Sequence, residues 1–254
     1  MITKHIPNSI TCCNLICGAI ATAHAVTGNL TMALLFIILG AVFDFFDGMS
    51  ARLLGVSSEI GKELDSLADD VTFGVAPASM IFYELQVVES PLCGTGSQCS
   101  GFCIGTLIPY LAFIVAAFSA VRLAKFNLDT RQTTSFIGLP TPANALFWGS
   151  LLVGFGPELE KHAWFLPLLI VGIFVSSWIL VAEIPMFALK FKHWGWQGNE
   201  IKYGFIGFSA LTLLVTILTG ITTGNTHLCY SGFSVIIVAY VLISVATQRS
   251  QIEK

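Results

Sequence analysis

Charge is what this sequence has least of. Lysine, arginine, aspartate and glutamate make up 11% of its 254 residues, against about 25% in an average soluble domain. With 55% hydrophobic residues beside them, that scarcity excludes a molecule whose surface is mostly wetted by water. Positive charge is scarcer still, 12 lysines and arginines against 15 acidic residues for a net charge of −3. No basic stripe appears, which excludes a nucleic-acid partner. Low-complexity runs and long linkers are also missing, so the chain reads as one domain over residues 1–254, with a core of about 1–190 and added helices at about 201–248.

What is present is long apolar runs. A spanning helix needs roughly 20 apolar residues, and about eight segments qualify, near 10–27, 30–54, 59–84, 104–125, 142–156, 163–189, 202–220 and 233–248. The predicted fold is an all-α polytopic membrane bundle, six helices forming the core and two following it. Counting from an inner N-terminus, eleven of the twelve lysines and arginines fall on the same side and only Lys161 on the other. By the positive-inside bias both termini are expected to be cytoplasmic.

The cysteines and histidines add no chemistry. Cys12, Cys13 and Cys17 read as small apolar residues of the first span. Cys93, Cys99, Cys103 and Cys229 lie in or beside outward loops, where disulfides are plausible, and their spacing fits no usual zinc pattern. The histidines are scattered near membrane edges.

Against this apolar background four aspartates stand out. Asp44 and Asp47 are three residues apart on the second span; Asp65 and Asp69 are four apart on the third. Each pair shares a helical face. At about 1.5 Å per residue, Asp47 and Asp65 lie roughly 12–15 Å from the turn between the two spans, so the pairs reach one depth from opposite directions. Intramembrane carboxylates pair, bind ions or do chemistry. Three uses compete here: a cation or proton pathway, a structural network with arginines, and a metal site that handles phosphate. Gly48 and Ala51 let a bulky ligand approach the acids closely, Arg52 adds a positive charge beside them, and Gly61 opens the facing helix. These favour the third use.

The pattern Asp44-x2-Asp47-Gly48-x2-Ala51-Arg52-x8-Gly61-x3-Asp65-x3-Asp69 resembles the signature of the CDP-alcohol phosphotransferases, with every specified position filled. The resemblance implies transfer from a CDP-linked lipid to an alcohol within the membrane, using two divalent ions, Mg²⁺ or Mn²⁺. It implies Asp44, Asp47, Asp65 and Asp69 as metal ligands, with Asp69 also the general base. Gly48, Ala51, Arg52 and Gly61 become contacts for the CDP moiety. Pro7-Asn8-Ser9-Ile10-Thr11 resembles a Pro-Asn-x2-Thr start common in the family, which makes Asn8 and Thr11 further nucleotide contacts; capping of a helix entry is the plainer reading of those two. Asp70, five residues from Asp65, points off the shared face and reads as the partner of a nearby cation.

The later segments bear on the acceptor. Arg122-Leu-Ala-Lys125-Phe126-Asn127, Phe136-Ile-Gly138-Leu139-Pro140-Thr141-Pro142 and the run Leu64 to Pro77 resemble the phosphatidylserine synthase branch of the family. That implies CDP-diacylglycerol and L-serine as substrates, with Arg122 suited to the serine carboxylate and Lys125 and Asn127 as further acceptor contacts. The ordinary reading of Arg122 and Lys125 is cations at a helix C-terminus on the inner membrane surface. Glu183 is expected to pair structurally or to meet the serine ammonium. The resemblance also implies a homodimer; the lysine and arginine bias puts the active site on the cytoplasmic face, in what is expected to be the inner membrane of a bacterium. A phosphorylated acceptor, glycerol 3-phosphate or inositol phosphate, is the alternative within the family. A cation transporter is the alternative outside it, opposed by the mostly apolar run from Val71 to Pro77.

Overall fold

The computed structural model of the protein describes residues 5–56, 58–89, 104–129, 136–187, 195–196 and 199–252. Its helices are α1 (His5–Val26), α2 (Leu30–Leu54), α3 (Glu59–Asp69), α4 (Ala76–Glu89), α5 (Phe113–Leu128), α6 (Thr141–Leu159), α7 (Phe165–Val181), α8 (Glu200–Thr223) and α9 (Gly232–Ile252). Each of the eight predicted segments contains helix. Six stretches are long and apolar enough to cross a membrane: α1, α2, the continuous Glu59–Val88, Leu107–Leu128, α8 and Thr226–Thr247. The short fifth segment, α6, is not among these six, and α7 is apolar but only 17 residues long. The protein is therefore a multi-pass membrane helix bundle. Exposed leucines and isoleucines along α8, such as Leu211, Leu214, Leu218 and Ile221, suit contact with lipid.

The helix ends follow local sequence. Asn29 caps α2 by accepting from the Met32 N–H, and Ser58 caps α3 by accepting from the Gly61 N–H at 3.0 Å. Gly55, at φ +60°, ends α2 in the left-handed conformation that glycine adopts without steric cost. Few residues separate α2 from α3, and the two aspartate-bearing helices lie side by side.

Between α3 and α4 lies a π-helical turn, Asp70–Val75. Such turns are rare and often mark functional sites. This one is held by α1: the Thr72 hydroxyl donates to the Asn14 carbonyl at 3.0 Å. Gly18 and Gly40 admit Thr72 so closely that a Cβ at either would collide with it. Lipid gives helices little hydrophobic reason to associate, so close backbone approach through small residues supplies much of the packing. The core around Ala21, Ala33, Leu34, Ile37, Phe73 and Trp148 is correspondingly dense. Trp148 of α6 donates its indole N–H to the Ser176 hydroxyl of α7 at 3.1 Å.

The described residues also contain one short strand pairing, β1 (Phe136–Ile137) antiparallel to β2 (Pro185–Met186). It links the start of α6 to the end of α7. Cys12, Cys13, Cys17 and Cys229 are free thiols; Cys93 and Cys99, with Cys103, lie outside the described residues, as does His193.

Candidate active site

The two aspartate-bearing helices meet as their spacing requires. Carboxylate oxygens of Asp44, Asp47 and Asp65 all lie within 4.8 Å of one another. Asp47 is 6% exposed, and Asp65 Oδ1 is buried with no hydrogen-bond partner. Three carboxylates this close repel unless a cation or protons intervene. The donors are all hard oxygens, the set that suits Mg²⁺ or Mn²⁺.

Asp69 stands beside this cluster, its carboxyl group against that of Asp44. It accepts from the Asn14 side-chain amide at 3.1 Å. Thr11 donates to Asp47 Oδ2 at 2.6 Å, a short bond of the charge-assisted kind. Helix α1 therefore orients two of the four aspartates. Asn14 had signalled itself only as a polar residue inside an apolar span.

The carboxylate cluster opens on a cavity of about 260 Å³. Its lining contains the sequence-predicted Asn8, Thr11, Gly48, Ala51 and Gly61, together with Asp47 and Asp65. A Cβ at Gly48 would meet nothing within 4 Å, so the missing side chain leaves open room. Gly61 works differently: a Cβ there would stand 3.0 Å from Asn8 Oδ1 and 2.9 Å from Ser58 Oγ, so its bareness lets α1 close on α3. Arg52 is not in the lining. It is exposed, and its Nε donates to the Gly48 carbonyl at 2.9 Å. Lys62, which the sequence had not singled out, does line the cavity.

A second cavity, about 320 Å³, is lined by Arg122, Lys125, Leu128, Asp129, Ile137, Leu180, Val181 and Glu183. Arg122 is buried, with its guanidinium 5.1 Å from the Phe126 ring centre, a cation–π distance. Its Nε has no protein partner, and it lies within electrostatic reach of Asp69 and of Tyr240 in α9. Asn127 sits elsewhere: its amide donates to Ser66 Oγ at 2.7 Å, and its carbonyl accepts from Lys62 Nζ at 2.9 Å. It ties the end of α5 to α3. Asp70, read as the partner of a cation, pairs with none among the described residues; its Oδ1 is buried and unbonded.

A membrane bundle that gathers hard carboxylates at the mouth of one cavity, with a buried arginine near the base candidate and lining a second, has the parts of a metal-dependent phosphoryl-transfer enzyme acting on lipid. The comparisons with known proteins agree. Residues 4–178 match the CDP-alcohol phosphatidyltransferase family, and the chain belongs to it. Among its relatives, the CDP-diacylglycerol–serine O-phosphatidyltransferase of Bacillus subtilis is 35% identical over 190 residues, covering 75% of this chain and 91% of that protein. The enzyme of the same name from Mycobacterium leprae is 31% identical over 191 residues, covering 71% of this chain and 57% of the relative. That from Methanocaldococcus jannaschii is 35% identical over 157 residues, 62% of this chain and 63% of the relative.

Proposed function

We propose that this enzyme transfers the phosphatidyl group of CDP-diacylglycerol to the hydroxyl of L-serine, giving phosphatidylserine and CMP. The observation that carries the reading is the convergence of Asp44, Asp47 and Asp65 beside a cavity lined by Gly48, Ala51 and Gly61 of the same motif. The names of the relatives point to serine as the acceptor. The site faces the cytoplasm, with both termini on that side, in a homodimer in the inner membrane; the lysine and arginine asymmetry supports that orientation. Residues about 1–190 form the catalytic core of a single domain.

Asp44, Asp47 and Asp65, with Asp69 at their edge, would hold two divalent cations. Held there, such ions would supply charge neutralisation for the diphosphate. The chain's own groups do the rest. Asn8, Thr11, Gly48, Ala51 and Gly61 seat the CDP moiety, and Thr11 also fixes Asp47. Arg52 contributes positive charge at the rim. Lys62 approaches the diphosphate from the same wall. Arg122, assisted by Lys125, receives the serine carboxylate as a charge-assisted pair. Asn127 keeps the end of α5, and with it Arg122 and Lys125, in register with α3.

Asp69 takes the proton of the serine hydroxyl as the serine oxygen bonds to the β-phosphorus. The bond from that phosphorus to the CMP oxygen breaks, and CMP leaves with the electron pair. Asn14 holds Asp69 in place by donating to Oδ1. In-line transfer of this kind depends mainly on positioning and charge, which suits a pocket built from fixed helices.

Purified protein given CDP-diacylglycerol, L-serine and Mg²⁺ or Mn²⁺ is expected to form phosphatidylserine and CMP, with neither product after chelation. Metal-dependent ion flux without CMP release would return the acids to a cation pathway. Lys62→Met is expected to raise KM for CDP-diacylglycerol about tenfold, the size of a charged hydrogen bond discounted for an exposed side chain. Arg122→Gln is expected to raise KM for L-serine about 10–100-fold by removing a buried charge-assisted pair, with KM for the CDP-lipid little changed.

A further inference from the structure

The family match ends at residue 178, yet part of the wall of the second cavity is built beyond that point. Leu180, Val181 and Glu183 line it together with Arg122 and Lys125, and with Ile137 from the other chain segment. This wall is a clasp. Phe136 pairs with Met186 and Ile137 with Pro185. The Gly138 N–H donates to the Ile184 carbonyl at 2.9 Å, and the Leu139 N–H to the Ile179 carbonyl at 3.1 Å. Gly138 has φ +75°, and a Cβ there would collide with the Leu180 carbonyl and stand 3.2 Å from that of Ala182, so the two segments touch backbone to backbone.

Two paired strands of two residues each are too short to hold themselves together. The C-terminal helices supply a support. The Tyr240 hydroxyl of α9 donates to the Phe187 carbonyl, one residue past β2, at 3.0 Å. The Tyr240 ring lies 4.9 Å from that of Phe187 and 5.8 Å from that of Phe205 in α8; Phe187 and Phe205 meet at 5.4 Å. Leu139, Leu180, Met186, Phe205 and Tyr240 belong to one buried cluster. Edge-on and tilted aromatic contacts of this kind add to the burial of the rings themselves. The cluster therefore joins both arms of the clasp to both C-terminal helices.

We propose that α8 and α9 set the shape of the acceptor site, with Tyr240 as a positioning residue that holds the clasp wall against Arg122 and Lys125. The proposal rests on the reading of the second cavity as the acceptor site. A small zwitterion with a hydroxyl group is gripped only if the wall opposite Arg122 stays at a fixed distance, and the Tyr240–Phe187 bond fixes it. Tyr240→Phe keeps the ring packing and leaves the Phe187 carbonyl without its partner. The wall then loosens while Arg122 and Lys125 stay in the chain.

The test is steady-state kinetics of the full-length protein in lipid, varying L-serine and CDP-diacylglycerol separately, for Tyr240→Phe beside Arg122→Gln. Tyr240→Phe is expected to raise KM for L-serine about 3–10-fold, the effect of one lost hydrogen bond, with kcat and KM for CDP-diacylglycerol unchanged within about twofold. A purely structural role would lower thermal stability and active fraction and leave KM for serine where it was; that result overturns the proposal, as does an equal rise in both KM values. If Arg122→Gln leaves KM for serine unchanged, the acceptor reading itself fails and the proposal falls with it. If Arg122→Gln raises that KM and Tyr240→Phe does not, only the proposal fails. Should Tyr240→Phe not fold, Phe205→Leu loosens the same cluster from α8 and is read by the same comparison.

Discussion

Asp69→Asn is expected to lower kcat by about three orders of magnitude, within the range by which a positioned general base accelerates proton transfer, while leaving the affinity for CDP-diacylglycerol within a few-fold of the parent. The asymmetry follows from the geometry. Asparagine has the shape of aspartate, and its side-chain oxygen can still accept from Asn14, which now donates to Asp69 at 3.1 Å. The carboxylates of Asp44, Asp47 and Asp65 remain together without it, so a cation site and the CDP cavity survive. What is lost is a group able to accept the hydroxyl proton. Equilibrium binding of a CDP-lipid, measured beside single-turnover CMP release, separates the two effects. Loss of binding in parallel with turnover would make Asp69 chiefly a metal ligand.

Asp65→Asn is expected to have a large effect on turnover as well, together with a signature in stability. In the parent, three carboxylates crowd within 4.8 Å and repel in a poorly hydrated site. A bound divalent cation turns that repulsion into attraction, and a ligand at a hundredfold excess over its Kd stabilises the folded form by about 2.7 kcal/mol. The chelated parent should therefore melt markedly lower than the Mg²⁺-loaded parent. Asparagine at residue 65 removes one of the repelling charges, so the chelated variant should melt above the chelated parent and gain little from Mg²⁺. Its turnover should fall at least a hundredfold at a Mg²⁺ concentration that saturates the parent. Thermal melts of both proteins with and without Mg²⁺ check this. A variant that melts lower than the chelated parent would show that Asp65 serves packing more than ion binding.

The aspartates were legible because charge is so rare around them. Four acids at i, i+3 and i, i+4 positions in apolar helices declare a shared face, and the short turn capped by Gly55 and Ser58 leaves the two helices little choice but to bring those faces together. Gly48, Ala51 and Gly61 were visible for the same reason, as small residues one turn from the acids. Hydropathy alone placed helix in each apolar segment, while only six of the eight expected spans are represented by stretches long and apolar enough to cross a membrane among the described residues.

Other parts had no such signal. The π-helical turn at Asp70–Val75 arises from contact with α1 through Thr72, Gly18 and Gly40; an apolar run reads the same whether it winds as α or π. Asn14 looked like one of several polar residues in the first span until Asp69 was placed beside it. Lys62 resembled any cation at the membrane surface, and only the fold shows it in the cavity lining while bonded to the Asn127 carbonyl. The β1–β2 clasp is too short to show any alternation of apolar and polar residues. Arg52 illustrates the converse: its place in the motif suggested a pocket contact, whereas its side chain lies exposed along its own helix.

The most direct measurement is CMP release by the purified protein from CDP-diacylglycerol with Mg²⁺ or Mn²⁺, comparing L-serine, glycerol 3-phosphate, inositol phosphate and no acceptor. Release with L-serine alone, accompanied by phosphatidylserine in the lipid phase, is the result predicted from the aspartate cluster, the cavity beside it and the Arg122 cavity together. Release with a phosphorylated acceptor and none with serine would contradict it, leaving the metal chemistry intact and reassigning the Arg122 cavity to a phosphate.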